Sequence, residues 1–282
     1  MPIVQVILLG IIQGFAEFLP ISSSAHLAVA GQLGERFFGW PDQGLGFDIA
    51  LHVGTLIAVL AYFLKDWIQV IGQAFGIKAV QFNKDLARNT KLLWLLVIAS
   101  LPIGVAGLLF QKTVEEELRN NLFLIGAMLI LVGLAMLWGE LLGSRKKSLG
   151  KLSFVDAAII GVAQALAIVP GTSRSGITIT AALLRNLDRR SAARFSFLAA
   201  TPVILAAGLK DLYDLFKHEG GIPHEMRMAF LIGISVSAIT GGIVIKFFLD
   251  FLAKRSLNFF VWYRVGFGII VIALAIFRQT GG

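Results

Sequence analysis

Residues 10–26 read Gly10-Ile11-Ile12-Gln13-Gly14-Phe15-Ala16-Glu17-Phe18-Leu19-Pro20-Ile21-Ser22-Ser23-Ser24-Ala25-His26. Residues 161–176 read Gly161-Val162-Ala163-Gln164-Ala165-Leu166-Ala167-Ile168-Val169-Pro170-Gly171-Thr172-Ser173-Arg174-Ser175-Gly176. Each stretch is an apolar helix-former that stops at a proline, passes through hydroxyl residues and resumes as helix. The arms on either side, within residues 2–34 and 153–185, are about 11–18 residues long. That is short of the roughly 20 apolar residues that cross a bilayer and suits a re-entrant segment. Non-helical backbone at membrane depth persists only where protein or a wet cavity surrounds it. These two breaks therefore predict a pair of hairpins dipping into a larger helical bundle.

The rest of the chain supplies the bundle. It has 282 residues, 57% hydrophobic and 15% charged, with a mean hydropathy of +0.81. Soluble domains run near 45–50% apolar and about 25% charged, so lipid is the main solvent here. Three spans carry no charge: Leu92 to Phe110, Leu122 to Gly139 and Met228 to Ile245. Three more carry a few polar groups: Leu45 to Leu64 with Asp48 and His52, Phe195 to Leu209 with Pro202, and Phe259 to Phe277 with Arg264. The net charge of +8 is read as loop charge rather than nucleic-acid affinity, because cytoplasmic loops collect Lys and Arg. With no cysteine there is no disulfide framework, thiolate metal site or Cys nucleophile. The N-terminus lacks the basic region and cleavage site of a signal peptide, so it is expected to belong to the mature chain.

Loop charge orients the bundle. Residues 65–91 (Lys65, Lys78, Lys84, Arg88, Lys91), 143–152 (Arg145, Lys146, Lys147, Lys151), 185–194 and 250–258 are basic and expected in the cytoplasm. Residues 111–121, with Glu115, Glu116 and Glu117, are expected outside, as are both termini. Gly10-x-x-Gln13 before Pro20-x-Ser-Ser resembles Gly161-x-x-Gln164 before Pro170-x-Thr-Ser, at an offset of half the chain. Each half then holds one hairpin and three crossings. Three is odd, so the halves enter from opposite sides. The expected fold class is an all-α polytopic membrane protein with an inverted-topology repeat, six transmembrane helices and two re-entrant hairpins. It forms a single membrane domain over 1–282, with repeats at about 1–142 and 153–282.

The breaks carry the chemistry. Gln13 and Glu17 are four apart and share a helix face, and a carboxylate in an apolar segment is costly and by default functional. Gly10 and Gly14 lie on a neighbouring stripe suited to close helix packing. Ser22, Ser23 and Ser24 offer hydroxyls, and at least one of them suits an N-cap. His26 suits proton exchange near neutral pH. In the second break Arg174 stands among Thr172, Ser173, Ser175 and Thr178. The hairpin's acid, Asp156, is accounted for by a capping box with Ser153, so an external anion is the expected partner of Arg174. Guanidinium matches phosphate in a bidentate fork; Gly171 and Gly176 permit close backbone approach, and a helix starting near Ser173 would aim N–H groups at the same anion. Brought together, the tips suit phosphoanhydride hydrolysis. Glu17, His26, Ser23 and Arg174 are the catalytic candidates, and Gln13 and Glu17 the ligands of a divalent cation such as Mg or Ca. Ser22, Ser24, Gly171, Thr172, Ser173, Ser175, Gly176 and Thr178 are the substrate-binding candidates. Asp48 and His52, four apart with Thr55 following, either support the site or pair structurally. His218 and His224 are read as solvated loop residues.

At these residues the chain resembles the undecaprenyl pyrophosphate phosphatase family associated with bacitracin resistance. The resemblance rests on Gln13 to His26, on Pro170 to Gly176 extending to Thr178, and on Phe195-Ser196-Phe197-Leu198. Gln13 stands where some members carry an acid, and Ala25 where a Gly often stands. The resemblance implies a metal-dependent phosphatase of the bacterial inner membrane, with its site open to the periplasmic side. Its substrate would be a polyprenyl pyrophosphate lipid, recycled to the monophosphate carrier for peptidoglycan synthesis. Membrane lipid would surround it, no nucleic acid would bind it, and a homodimer stays open. The rival reading is a transporter or flippase of a polyprenyl phosphate lipid. Such a protein would need Arg174 and the helix dipoles but not Glu17 with a serine and a histidine.

Overall fold

The computed structural model describes residues 1–41, 44–77, 82–218 and 221–280. They form twelve α-helices: α1 (Ile3–Phe18), α2 (Ser23–Phe38), α3 (Gly44–Tyr62), α4 (Leu64–Ala74), α5 (Lys84–Ala87), α6 (Leu92–Thr113), α7 (Leu122–Leu142), α8 (Phe154–Ala165), α9 (Arg174–Leu184), α10 (Arg189–His218), α11 (Arg227–Leu252) and α12 (Asn258–Thr280). Five segments, lying in α6, α7, α10, α11 and α12, are each long and apolar enough to span a bilayer. All five contain expected crossings. The sixth expected crossing, Leu45 to Leu64, comes out differently. Gly46–Tyr62 and its continuation Leu64–Ala74 are apolar enough to span together, with a bend of 69° between them. The bend follows from α4's own pattern. Asp66 and Gln69 turn inward to Arg194 and to the backbone of Asn83, while Leu64, Ile68 and Ile71 face out. Much of the expected basic loop at 65–91 is thus the amphipathic α4 and the short α5; Lys78 lies outside the described residues. Likewise α6 runs past Phe110 and ends in a π-helical turn, Val114–Leu118.

Local chemistry sets the breaks. Helix α1 ends ahead of Pro20, whose ring disfavours helical backbone in the residue before it. Ser22 then caps α2, its hydroxyl accepting from Ala25 N–H at 3.4 Å. Ser153 and Asp156 form the expected capping box at α8. Ser173 caps α9, accepting from Gly176 N–H at 3.2 Å.

Helix α1 packs on α11, α8 on α6, and α7 on α12. Small residues permit the first two contacts. A Cβ on Gly14 would sit 2.6 Å from Thr240 Cβ on α11, and one on Gly161 would sit 2.8 Å from Ala99 Cα on α6. The core gathers around Phe18, Phe195, Phe197 and Phe248, with Phe18 edge-on to Phe197 at 5.4 Å. Large apolar side chains such as Leu108, Leu142 and Phe259 are exposed on the outside. In a helical membrane protein that is the lipid-facing surface.

The loops sort onto two faces. On one, Asp85 accepts from Ser148 Oγ and Gly150 N–H, and Asn89 donates to the carbonyls of Leu149 and Leu152. On that face too, Lys147 pairs with the 186–188 backbone, Arg189 with Glu140, and Glu140 with Leu257 N–H. The basic segments at 83–91, 143–152 and 185–194, and the α11–α12 connection, therefore share a side as expected. Opposite them, Arg119 pairs with Asp48, and Gln5 donates to the Pro41 carbonyl.

Candidate active site at the paired helix breaks

The two breaks meet. Gly171 N–H donates to Ser24 Oγ at 3.2 Å, and Ser175 Oγ donates to the Leu19 carbonyl at 3.1 Å. Their caps share one geometry. Ser22 (φ 78°) and Ser173 (φ 66°) both hold left-handed backbone, uncommon for serine and worth roughly 1–3 kcal/mol of local strain. Each hydroxyl also lies close to the serine two residues on, at 3.1 and 3.2 Å. This sets Ser22 against Ser173, one residue off the Pro20–Pro170 match that the sequence suggests, and sets Ser23 against Arg174.

Glu17 is the centre. Its Oε2 accepts from Ser23 Oγ at 2.8 Å and from Gln13 Nε2 at 3.2 Å. Its Oε1 accepts from Arg174 Nη2 at 2.5 Å. Arg174 also donates to the Ala200 carbonyl at 3.1 Å. The expected partner of Arg174, an external anion, is thus replaced in this structure by a carboxylate from the other hairpin. Sequence reasoning searched only Arg174's own hairpin for an acid, and the fold supplies one from 157 residues away. The pair is nearly dry, with side chains 12% and 8% exposed. Attraction in such a setting is far stronger than in water, and an anion that displaced Glu17 would inherit that strength.

A cavity of 280 Å³ opens beside this group. It is lined by Glu17, Ser22, Ser23, Ser24, Ser173, Arg174 and His52, with Ile103, Val203 and Ile204 on its apolar wall. A larger cavity of 780 Å³ shares Ser23, Ser24 and His52 and runs past Asp48 to Arg119 and Asn120. It leads toward the face opposite the basic loops. His52, given an open role by the sequence, faces both cavities; its Nε2 is 4.0 Å from Glu17 Oε2.

His26 goes elsewhere. Its Nδ1 lies 2.7 Å from the Ser22 carbonyl, which can only accept, so Nδ1 carries the proton. Its Nε2 then accepts from the Tyr263 hydroxyl at 2.7 Å. The ring stacks on Phe267 and lines neither cavity. A free imidazole at the reacting group was expected; the break turns it toward α12 instead.

Five of the expected substrate contacts also stand behind the cavities rather than in their walls. Thr178 bonds back to the Arg174 carbonyl and across to Ser196. Ser175 ties the tips together. Gly176 N–H is spent on the Ser173 cap. Gly171 (φ 88°) needs a backbone only glycine adopts readily, and a Cβ there would strike the Ile125 carbonyl at 2.5 Å. Thr172 is fully buried, its Oγ1 without a hydrogen-bond partner.

Among the described residues no group of three or more His, Cys, Asp or Glu could hold a metal. Gln13 Oε1, however, is buried with no hydrogen-bond partner, on the amide that contacts Glu17. An orphan carbonyl oxygen beside a carboxylate is a hard donor pair of the kind Mg and Ca accept.

Sequence reasoning missed Arg264 as a site residue. It is fully buried and donates to the carbonyls of Pro20, Gly171 and Thr172 in the two breaks. The available signal was a lone arginine inside an apolar span, which by default marks function.

Fold and site together define a polytopic helical membrane protein with an acid, a serine and an arginine gathered at two facing helix breaks. The chain belongs to the bacitracin resistance protein BacA family, whose model matches residues 6–270. It is 44% identical over 281 residues to an undecaprenyl-diphosphatase of Pelotomaculum thermopropionicum, covering 100% of both chains. The same name belongs to relatives from Moorella thermoacetica (42% identical; 99% of this chain, 100% of the relative) and Thermodesulfovibrio yellowstonii (44%; 98% of each).

Proposed function

We propose that this protein hydrolyses undecaprenyl pyrophosphate to undecaprenyl phosphate and inorganic phosphate, returning the carrier lipid for peptidoglycan synthesis. The observation that carries this reading is one carboxylate, Glu17, held between a serine hydroxyl and a guanidinium in a nearly dry cleft. Around it, the name shared by full-length relatives supplies the substrate class.

In this reading the terminal phosphate takes the place of Glu17 on Arg174 and lies against the N-termini of α2 and α9, where backbone dipoles favour anions. Ser23 Oγ passes its proton to Glu17 and attacks the terminal phosphorus. The bond from that phosphorus to the bridging oxygen breaks, and polyprenyl phosphate leaves. Water then takes the phosphoryl group from Ser23, and the proton returns from Glu17 to the serine. Gln13 and Glu17 would hold a divalent cation, whose chemistry would be to neutralise phosphate charge. His26 holds the first tip in shape through the Ser22 carbonyl. Of the substrate-binding residues, Ser22, Ser24 and Ser173 line the phosphate pocket, while Gly171, Thr172, Ser175, Gly176 and Thr178 shape its backbone.

The same reading makes the fold an inverted repeat with re-entrant hairpins. Matching pairs support it: α1 on α11 against α8 on α6, and Ser22 against Ser173. The basic face is then cytoplasmic, the membrane is the bacterial inner membrane, and the larger cavity opens on the periplasmic side.

The test is phosphate release from a polyprenyl pyrophosphate in detergent, with and without chelator. Wild type should release phosphate only with divalent metal, and Glu17→Ala and Arg174→Ala should lose almost all of it. Folded wild type that releases none with any divalent metal would sink the enzyme reading and leave lipid transport in its place.

A further inference from the structure

Arg264 lies in the second turn of α12, and its side chain is spent entirely on backbone. Nε donates to the Leu129 carbonyl at 3.1 Å. Nη1 donates to Pro20 at 3.1 Å. Nη2 is shared by Met128 at 3.3 Å, Gly171 at 2.9 Å and Thr172 at 3.0 Å. Among the described residues no carboxylate pairs with it. A buried guanidinium without an acid is costly, and here oriented carbonyl dipoles offset that cost.

Three of those carbonyls belong to the breaks. A broken helix frees carbonyls that have no water to turn to at membrane depth. One side chain collects them from both hairpins at once, Pro20 from the first and Gly171 with Thr172 from the second. The other two carbonyls anchor the clasp to α7. The tips touch each other directly through short polar contacts, such as Gly171 to Ser24 and Ser175 to Leu19. On the cavity side the tips are joined by the Glu17–Arg174 ion pair, whose bond must open to admit a phosphate. Something else must then keep the tips in register.

We infer that Arg264 is the positioning residue for the reaction. It clasps the two breaks from behind, fixing Ser23 and Glu17 relative to Arg174 while the cavity face exchanges its ion pair for substrate. This rests on the reaction lying at the breaks, as proposed above. Arg264 itself lines neither cavity and touches no substrate. Lysine cannot replace it, because a single ammonium lacks the planar fork that reaches carbonyls on three sides.

The experiment uses the purified full chain in detergent with a polyprenyl pyrophosphate. Wild type, Arg264→Lys, Arg264→Gln, Gly133→Ala and Glu17→Ala are compared for kcat, KM and thermal midpoint. A displacement near 1 Å at a reacting group costs on the order of 10²-fold. Both Arg264 variants should therefore lose kcat on that order, with KM within about threefold and no rescue by lysine. A wild-type kcat in Arg264→Lys overturns the clasp. So does a raised KM with kcat kept, which would make Arg264 a substrate contact. Should both variants fail to fold, Gly133→Ala decides. Its Cβ would lie 3.3 Å from Arg264 Cβ and 3.4 Å from the Val261 carbonyl, forcing α12 to shift slightly at the clasp. A severalfold fall in kcat at unchanged KM is expected, and an unchanged kcat overturns the inference. Full turnover in Glu17→Ala would instead remove the site itself, whatever the Arg264 variants do.

Discussion

Two histidines show how differently single residues can be read. His26 lies near three serines in sequence, yet it spends both nitrogens on Ser22 and Tyr263. His52 lies 35 positions from Glu17 in sequence, yet it faces the acid. Chain proximity marks the break; only the helix register decides which ring turns inward. His26→Ala should therefore behave as a structural change. It leaves the Ser22 carbonyl without its imidazole donor, at a cost of roughly 1–3 kcal/mol, and lowers the thermal midpoint together with turnover. Added imidazole should not restore activity; full rescue at an unchanged midpoint would show instead that the ring moves a proton. Glu17→Gln tests the other end of the same tip. The amide keeps the shape but loses the charge that accepts from Ser23 and Arg174, so kcat should fall by about 10²-fold or more, with the fold intact. Glu17 and Arg174 stood out as candidates because a charge in an apolar segment is costly in lipid, and Ser23 because it stands at the same break as Glu17. The pairing of the two charges did not, since a salt link across 157 positions leaves no local pattern. Arg264 was visible as an anomaly, but its purpose depends on carbonyls freed by two remote breaks.

At the level of helices, glycine spacing translated directly into packing. Gly10 and Gly14 read as a stripe for close approach, and both meet α11. Gly14→Val should disrupt that contact, since even the first added carbon falls 2.6 Å from Thr240 Cβ and 2.9 Å from Gly241 N. Gly242, on α11 itself, has nothing within 4 Å of an added Cβ. Gly242→Ala should leave stability within about 0.5 kcal/mol. Detergent melting curves of the two variants check the contrast; equal midpoints would mean that α1 and α11 do not pack as described. Element ends were less legible than element cores. The 69° bend between α3 and α4 falls where buried polar groups, Asp66 against Arg194 and Gln69 against the Asn83 backbone, hold the amphipathic α4 onto the bundle. Hydropathy alone carries no trace of those contacts.

For the whole molecule, loop charge sorted the chain correctly into two faces, because segments of like charge were found bonded to one another's acids and backbone. Asp156 shows the strength of that joinery. It lies at the mouth of α8, outside the candidate spans, and accepts from Lys147, Ser153 and Arg185. Burial pushes its carboxyl up, but these donors outweigh burial and hold it down at about 2, against an ordinary 3.8. A carboxyl with a lowered folded value stabilises fully above its ordinary value and loses that contribution as pH falls from 3.8 toward 2. Asp156→Asn should thus melt earlier than wild type at pH 7, and the gap should close in acid; a gap constant with pH would mean that the charge contributes nothing. Which face looks into the cell is a separate matter. The basic loops argue for the cytoplasm, and the cavity mouth at Arg119 and Asn120 then faces out, where a pyrophosphate on the outer leaflet could enter. The chain's lack of cysteine makes this measurable with single replacements at exposed positions on either face. In intact cells a membrane-impermeant maleimide should label Glu117→Cys and spare Lys146→Cys, and permeabilising the membrane should expose the second. Labelling of Lys146→Cys alone would invert the orientation and turn the cavity to the cytoplasm. Labelling of both in every cell would require two orientations of one chain, which the strong charge asymmetry of these loops argues against.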